Sequence, residues 1–353
     1  MRLLFVARQY PDRAGMPVAG RVAALARLVD EASRHADVRL IAGWTTARED
    51  LPAGASGVDL RGGGVIAHVQ LARAIAAASA RHRPDVIVAG SPDVPAAGPR
   101  SVVVVRDYAS GGWEPREGLG DRVERARLRR WARVVVPTDA ARADLRAAGL
   151  DRWAVHRIPD GWAEWAECAD PAPRPSGPLR VVCAGRIHPA RGVHLAVDAV
   201  SRLGCDEKAG IHLDVVGPVG DARYLDQLRV MARGQPVAFW PGEPPGPRIA
   251  FANLVIYPAC APEGFADGVV DGMAHGKPVV WADHPGARET AAGAGISVPP
   301  GDVPALREVL RRALDGTLDL QRIGAEGLRI ARERYDWAAV WPRWAELLES
   351  VAG

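Results

Sequence analysis

The chain has 353 residues, of which 48% are hydrophobic and 25% charged, with a formal net charge of only +3. This is globular composition with length for two domains that each bury a core, and it excludes a disordered chain or one that coats nucleic acid. No apolar run approaches the roughly 20 residues that span a bilayer, and MRLLFVARQYPDRAG is too short an apolar start for a signal peptide, so a cytoplasmic protein is expected.

Short apolar runs alternate with helical patterns, which predicts parallel sheets built from βαβ units. In chain order the runs are Leu3 to Ala7, Val38 to Gly43, Asp85 to Gly90, Ser101 to Val105 and Arg133 to Thr138. Between them, Val22, Leu25, Leu28 and Val29 share one helical face, as do Leu71, Ile75 and Ala78. The glycines Gly62 to Gly64 follow no obvious strand and read as a loop. A second series of runs comprises Leu179 to Gly185, His212 to Gly217, Asn253 to Ala259 and Pro278 to Asp283. Its last clear helix is PALREVLRRAL, with Leu306, Val309, Leu310, Ala313 and Leu314 as the buried stripe.

The fold class expected is α/β, two doubly wound Rossmann-like domains facing across a cleft. The expected boundaries are residues 1–165, a Pro-rich linker at 166–178, residues 179–335, and a Trp-rich C-terminal helix at 336–353 that packs back on the first domain. Pro342 should kink or restart that helix. Cys168, Cys183, Cys205 and Cys260 have neither C-x-x-C spacing nor partner histidines and are expected to be reduced. A dinucleotide enzyme is disfavoured, because no G-x-G-x-x-G follows the first strand, and no G-K-[ST] of a Walker A loop occurs.

Two stretches carry chemistry. In AGRIHPARGVHLAVDAV, a strand ends at Gly185 and a loop with Arg186 and Arg191 leads into a helix. Two cations at the carboxyl end of a strand beside a helix N-terminus suit an anion, although two solvated arginines read equally well. PEGFADGVVDGMAHGKPVV places Glu263 before a helix that starts near Ala266 and Asp271 inside it. The N–H groups from Ala266 to Val270 are then first-turn donors able to hold a phosphate, and Gly264 and Gly268 permit close approach. Glu263 can accept from hydroxyls next to that phosphate and Asp271 from another diol, so the stretch can mould a sugar nucleotide.

This stretch resembles the E-x7-E signature of retaining glycosyltransferases of family GT4, which have the GT-B fold. AGRIHPARG is similar to that family's G-R-[LI]-x-P-x-K-G, with Arg191 in place of the lysine. VVVPTDAARADLRAAGLDRWAVHRIPDGW, HPGARE and GISVPPGD resemble further family segments, so the likeness runs along most of the chain.

The resemblance implies a sugar transferase that takes a nucleotide-diphosphate sugar (UDP, GDP or dTDP) and a hydroxyl- or amine-bearing acceptor, needs no metal or other cofactor, and binds no nucleic acid. Arg186 and Arg191 would neutralise the diphosphate, and Glu263 would hold the donor sugar. Backbone from Gly264 through Phe265, Ala266, Asp267, Gly268 and Val269 to Val270 would cradle sugar and phosphate. Asp271 would take the ribose-binding glutamate position, shorter by about 1.5 Å. Gly217 would line the donor site, and Trp240, Pro241, Gly242 and Glu243 would lie near the base. On the acceptor side the family's glycine pair falls on Met16 and Pro17, with Gly15 before it, and its histidine position falls on Arg106, beside Asp107. Asp107 could orient the acceptor or simply pair with Arg106. His188, inside the arginine loop, reads as a surface histidine, with an approach to the diphosphate as the alternative, and His275 reads as structural. The basic run Asp121 to Val134 reads as a solvated helical face, with weak membrane association as the alternative. A lipid or polysaccharide acceptor, a sugar-nucleotide epimerase or hydrolase, and a catalytically silent partner protein are the other readings.

Overall fold

The computed structural model describes residues 1–7, 21–44, 55–59, 64–91, 94–95, 98–105, 130–147, 149, 155–162 and 177–353. Two compact units divide the chain, Met1–Trp162 together with Tyr335–Gly353, and Ala163–Arg334. Gly15, Met16, Arg106, Asp107 and the expected linker up to residue 176 lie outside the described residues.

The first unit holds β1 (Arg2–Ala7), β2 (Asp37–Trp44), β3 (Ala55–Asp59), β4 (Val86–Ala89), β5 (Ser101–Val104), β6 (Arg133–Val136) and β7 (Val155–Arg157). They stand in the order β3-β2-β1-β4-β5-β6-β7, and every neighbouring pair is parallel. Strand residues alternate between the two faces of the sheet. Leu3, Phe5 and Ala7 therefore meet Leu25, Leu28 and Val29 of the helix Arg21–His35. Leu4 and Val6 meet Leu71 and Ile75 of the helix Gly64–His82, with Trp131 and Leu145. The helix Trp337–Ala352 completes the first of these cores with Val340, Trp344, Leu347, Leu348 and Val351. Its N-terminus is capped by Asp336, whose carboxylate accepts from the Ala338 N–H at 2.8 Å.

The second unit holds β8 (Leu179–Ala184), β9 (Ile211–Gly217), β10 (Val237–Pro241), β11 (Leu254–Tyr257), β12 (Val279–Ala282) and β13 (Ile296–Val298). The order is β10-β9-β8-β11-β12-β13, again all parallel. One face is covered by Val197 and Val200 of the helix Val193–Ser201 and by Leu306, Val309 and Leu310 of the helix Val303–Leu314. In both sheets the chain reverses direction of travel beside its first strand, between β1 and β4 and between β8 and β11. These are the topological switch points where open α/β sheets bind ligands at their carboxyl ends.

Several expectations need correction. Strands β3, β7, β10 and β13 were absent from the apolar series, and all four are sheet edges. An edge strand is covered on fewer sides than a central one, so it does not need a continuous apolar run; β7 is half-buried at all three positions. A strand, β3, does precede the run Gly62 to Gly64; Gly62 and Gly63 lie outside the described residues, and Gly64 opens the helix Gly64–His82. A further helix, Leu320–Tyr335, continues beyond PALREVLRRAL. Its Gly324 and Gly327 dilute the periodic signal, and Gly324 is needed because a Cβ there would come within 2.2 Å of the Gly276 carbonyl oxygen. Pro342 does not restart its helix, which is one element from Trp337 to Ala352. Pro342 and Ala338 are both exposed, so water can serve the carbonyl that loses its helical donor.

Candidate active site

Two loops leave the switch point of the second sheet. One follows β8 and carries Arg186, His188 and Arg191; the other follows β11 and carries Glu263. The first is shaped by glycine. Gly185 and Gly217 both have positive φ, +124° and +138°, and a Cβ on Gly217 would lie 2.2 Å from the Gly185 carbonyl oxygen. Beyond that crossing, Ile187 bridges to Val219, and the Ile187 carbonyl accepts from Gly220 and Asp221 N–H at 3.0 and 3.2 Å. The loop then forms a short 3-10 turn, Pro189–Arg191, capped by the His188 ring, whose Nδ1 accepts from Ala190 N–H at 3.2 Å. Gly192 at φ +67° ends the turn, and a Cβ there would meet the Pro258 carbonyl oxygen at 1.9 Å. The two loops are thus pressed together, with Cys260 N–H donating to the Ala190 carbonyl at 2.9 Å.

That packing brings Arg191 to Glu263. Their side chains form an ion pair, with Arg191 Nη1 on Glu263 Oε1. Tyr257, the last residue of β11, joins them: its hydroxyl accepts from Arg191 Nη1 and donates to Glu263 Oε2. The Arg191 side chain is 30% exposed and that of Glu263 11%, so the pair is screened by little water but remains reachable from solvent. Arg186 is exposed, its stem lying over Gly220, where a Cβ would come 2.7 Å from Arg186 Cδ.

The helix after Glu263 runs Asp267–Ala274, with Ala266 as its cap residue. Three of the five expected phosphate donors are already used. Ala266 N–H donates to Thr290 Oγ1 at 3.3 Å, and Val269 and Val270 N–H donate to the Ala266 carbonyl at 3.0 and 3.3 Å. Phe265, Ala266, Val269 and Val270 point their side chains into the core, while Asp267 and Asp271 are half-buried. The Asp271 carbonyl accepts from the His275 ring at 2.8 Å, and His275 is itself 2% exposed, as a structural residue would be.

Trp240 and Pro241 end β10 rather than forming a loop, and Gly242 N–H returns to the Gly217 carbonyl at 2.8 Å. The Trp240 indole N–H donates to Asp214 at 2.6 Å, and the Arg248 guanidinium stacks 3.3 Å from its ring centroid while bonding Glu243 at 3.0 Å. One indole face is thereby occupied by Arg248. Beside the arginine loop, Tyr224 accepts from His194 N–H at 2.9 Å and meets the His194 Nδ1 at 2.7 Å. Burial pushes the Tyr224 phenol up to about 12 and lowers the His194 imidazole, against an opposing effect of Asp198. Among the described residues no three His, Cys, Asp or Glu side chains are grouped to hold a metal ion.

Sequence reasoning passed over Tyr257, Gly286 and Thr290. Tyr257 carried a signal, a phenol at the carboxyl end of a strand inside NLVIYPA. The other two act on backbone: Thr290 Oγ1 holds the Ala266 N–H, and a Cβ on Gly286 would lie 1.8 Å from the Glu263 carbonyl oxygen.

Residues 178–316 match the family model described as Glycosyl transferases group 1. Over 89 residues the chain is 39% identical to an MMP alpha-(1->4)-mannosyltransferase of Mycolicibacterium hassiacum, a match spanning 23% of this chain and 21% of that protein. By fold, Anabaena HepE crystallised with UDP and glucose is similar over 99% of this chain and 100% of its own, with a TM-score of 0.77 and 21% identity. Sucrose-phosphate synthase of Thermosynechococcus elongatus has a TM-score of 0.82 at 17% identity, covering 99% of both chains. WaaG, a glycosyltransferase involved in lipopolysaccharide biosynthesis, has a TM-score of 0.74 at 18% identity over 98% of this chain and 99% of its own. The chain thus has the fold of GT-B glycosyltransferases, and its second unit carries a match to a glycosyltransferase family.

Proposed function

We propose that this protein is a retaining glycosyltransferase of the GT4 kind, moving a sugar from a nucleotide-diphosphate donor to a small-molecule or natural-product acceptor without a metal. The observation that carries this reading is the meeting of Arg191 and Glu263 at the switch point of the unit that matches the glycosyltransferase family. HepE, solved with UDP and with UDP-glucose, supports a nucleotide sugar as the donor class.

In this reading Arg186 and Arg191 take the diphosphate, and Glu263, left by Arg191, accepts from hydroxyls of the donor sugar. The bond from the anomeric carbon to the phosphate oxygen breaks, the acceptor oxygen bonds to the same face of that carbon, and the acceptor proton passes to the departing phosphate oxygen. Fixed cations beside the leaving diphosphate stabilise the charge that grows there, and they need no reorganisation when it appears. Asp271 receives the ribose, Trp240 to Glu243 lie toward the base, and Asp107 with Arg106 and the Gly15–Met16 segment serve the acceptor.

Thermal denaturation with UDP, GDP, dTDP and their sugars tests this directly, because a ligand bound only to the folded state raises its stability by mass action. One nucleotide and its sugar should raise the midpoint, and incubation with acceptors should give a product of unchanged anomeric configuration by NMR. No shift with any of them, or an inverted product, would overturn the proposal; binding without turnover on any acceptor would favour a silent partner protein.

A further inference from the structure

The geometry points to Tyr257 as a positioning residue that sets the orientation of the Glu263 carboxylate toward the donor sugar, an inference that rests on the glycosyltransferase reading. A guanidinium can only donate and an ionised carboxylate can only accept, whereas a phenol does both. Placed between Arg191 and Glu263, the hydroxyl therefore has one arrangement available, accepting from Arg191 and donating to Glu263. Both oxygens of Glu263 are then held, Oε1 by Arg191 and Oε2 by Tyr257, so the carboxylate plane cannot turn. Each oxygen keeps further lone-pair capacity, and those directions are what a pair of sugar hydroxyls would meet.

The ring is fixed as firmly as the hydroxyl. Tyr257 is 5% exposed, and Gly268 in the first turn of the following helix lies so close that a Cβ there would come within 2.5 Å of Cδ2 and Cε2. A phenylalanine would fill the same space, so packing alone gives no reason for the oxygen. Its use appears when Arg191 turns to the diphosphate: Glu263 loses one of its two holders, and Tyr257 keeps the carboxylate from swinging at the moment the sugar must be gripped. Tyr257 acts through Glu263 and needs no contact with the reacting atoms.

The test compares wild type with Tyr257→Phe, Glu263→Ala and the double variant, measuring affinity for UDP, GDP, UDP-glucose and GDP-mannose, and kcat and KM for transfer. Tyr257→Phe should leave UDP and GDP affinity unchanged and lower the ratio of nucleotide-sugar to nucleotide affinity by about tenfold, the range set by one hydrogen bond to a charged group. The double variant should lose no more than Glu263→Ala alone, because the two residues act as one. An unchanged ratio in Tyr257→Phe, or additive losses in the double variant, would overturn the inference while leaving the donor-site reading standing. If wild type binds none of these probes and neither dTDP nor a dTDP-sugar, the donor reading fails instead. The thermal midpoints of the four ligand-free proteins then decide, coupled losses supporting the Tyr257–Glu263 link and additive ones removing it.

Discussion

Gly286, in the first turn of the helix Pro285–Ala291, faces the backbone of Glu263 so closely that a Cβ would lie 1.8 Å from the Glu263 carbonyl oxygen and 3.1 Å from that of Gly264. The obstacle is backbone, which cannot step aside as a flexible side chain would. Gly286→Ala must therefore push the Glu263 loop away from its place. Overpacking of this kind costs about 1–3 kcal/mol. The expected outcome is a lower thermal midpoint together with a loss of sugar transfer larger than the loss of nucleotide affinity; an alanine variant with native midpoint and turnover would contradict the close contact.

The two loop arginines should be separable by salt. Arg186→Ala and Arg191→Ala should each weaken nucleoside diphosphate binding by about tenfold or more, the range of a charge-assisted hydrogen bond. Arg186 is exposed and Arg191 largely shielded, so the Arg186 contribution should shrink more as ionic strength rises. Titration calorimetry at low and high salt measures both, and unchanged affinity in the two variants would remove the donor-site assignment.

Removing Glu263 should divide sugar from nucleotide. Glu263 is paired with Arg191, so Glu263→Ala frees that cation for a diphosphate. Affinity for free UDP or GDP should hold or rise, while transfer falls by about a hundredfold. Equal losses in binding and transfer would contradict a sugar contact.

Acid should weaken the arginine loop through His194. Burial holds the imidazole below its usual range, and Tyr224 meets its Nδ1 at 2.7 Å, a bond that suits the neutral ring. The folded protein therefore binds this proton less readily than the unfolded chain does. Its stability is fully present above the unfolded value, near about pH 6.5, and is lost as pH falls from there toward the folded value. Urea midpoints measured on both sides of this window should drop with acid in wild type and drop less in His194→Phe. An equal drop in the two proteins would place the acid sensitivity elsewhere.

Legibility in the sequence followed burial. Central strands such as β1, β8 and β11 are buried at nearly every position and appear as apolar runs, whereas the edge strand β10 is half-buried along most of its length and escaped notice. Docking of the C-terminal helix on the first sheet was readable because Trp344, Leu347, Leu348 and Val351 are too apolar for solvent. At the candidate site, the acids and arginines were visible as local spacing. The triad itself was not, since Arg191 and Tyr257 are 66 residues apart and meet only through the β8–β11 register that sets Cys183 beside Ile256. The partner of the Ala266 N–H was equally hidden, since the side chain that takes it, Thr290, comes from another helix 24 residues on.

The split of the first unit between the two ends of the chain sets an order of events during synthesis. Residues Ala163–Arg334 form a contiguous unit, whereas the core around Leu3, Phe5 and Leu25 includes Val340, Trp344 and Val351. Domains commonly fold as they leave the ribosome, earliest-made first. Here the first sheet, though covered in part by Leu25, Leu28 and Val29, lacks the rest of that cover until Val340, Trp344 and Val351 are made, after the whole of the second unit. A chain cut after Arg334 would hold every residue of the second unit, while its first sheet would lack the cover of Val340, Trp344 and Val351.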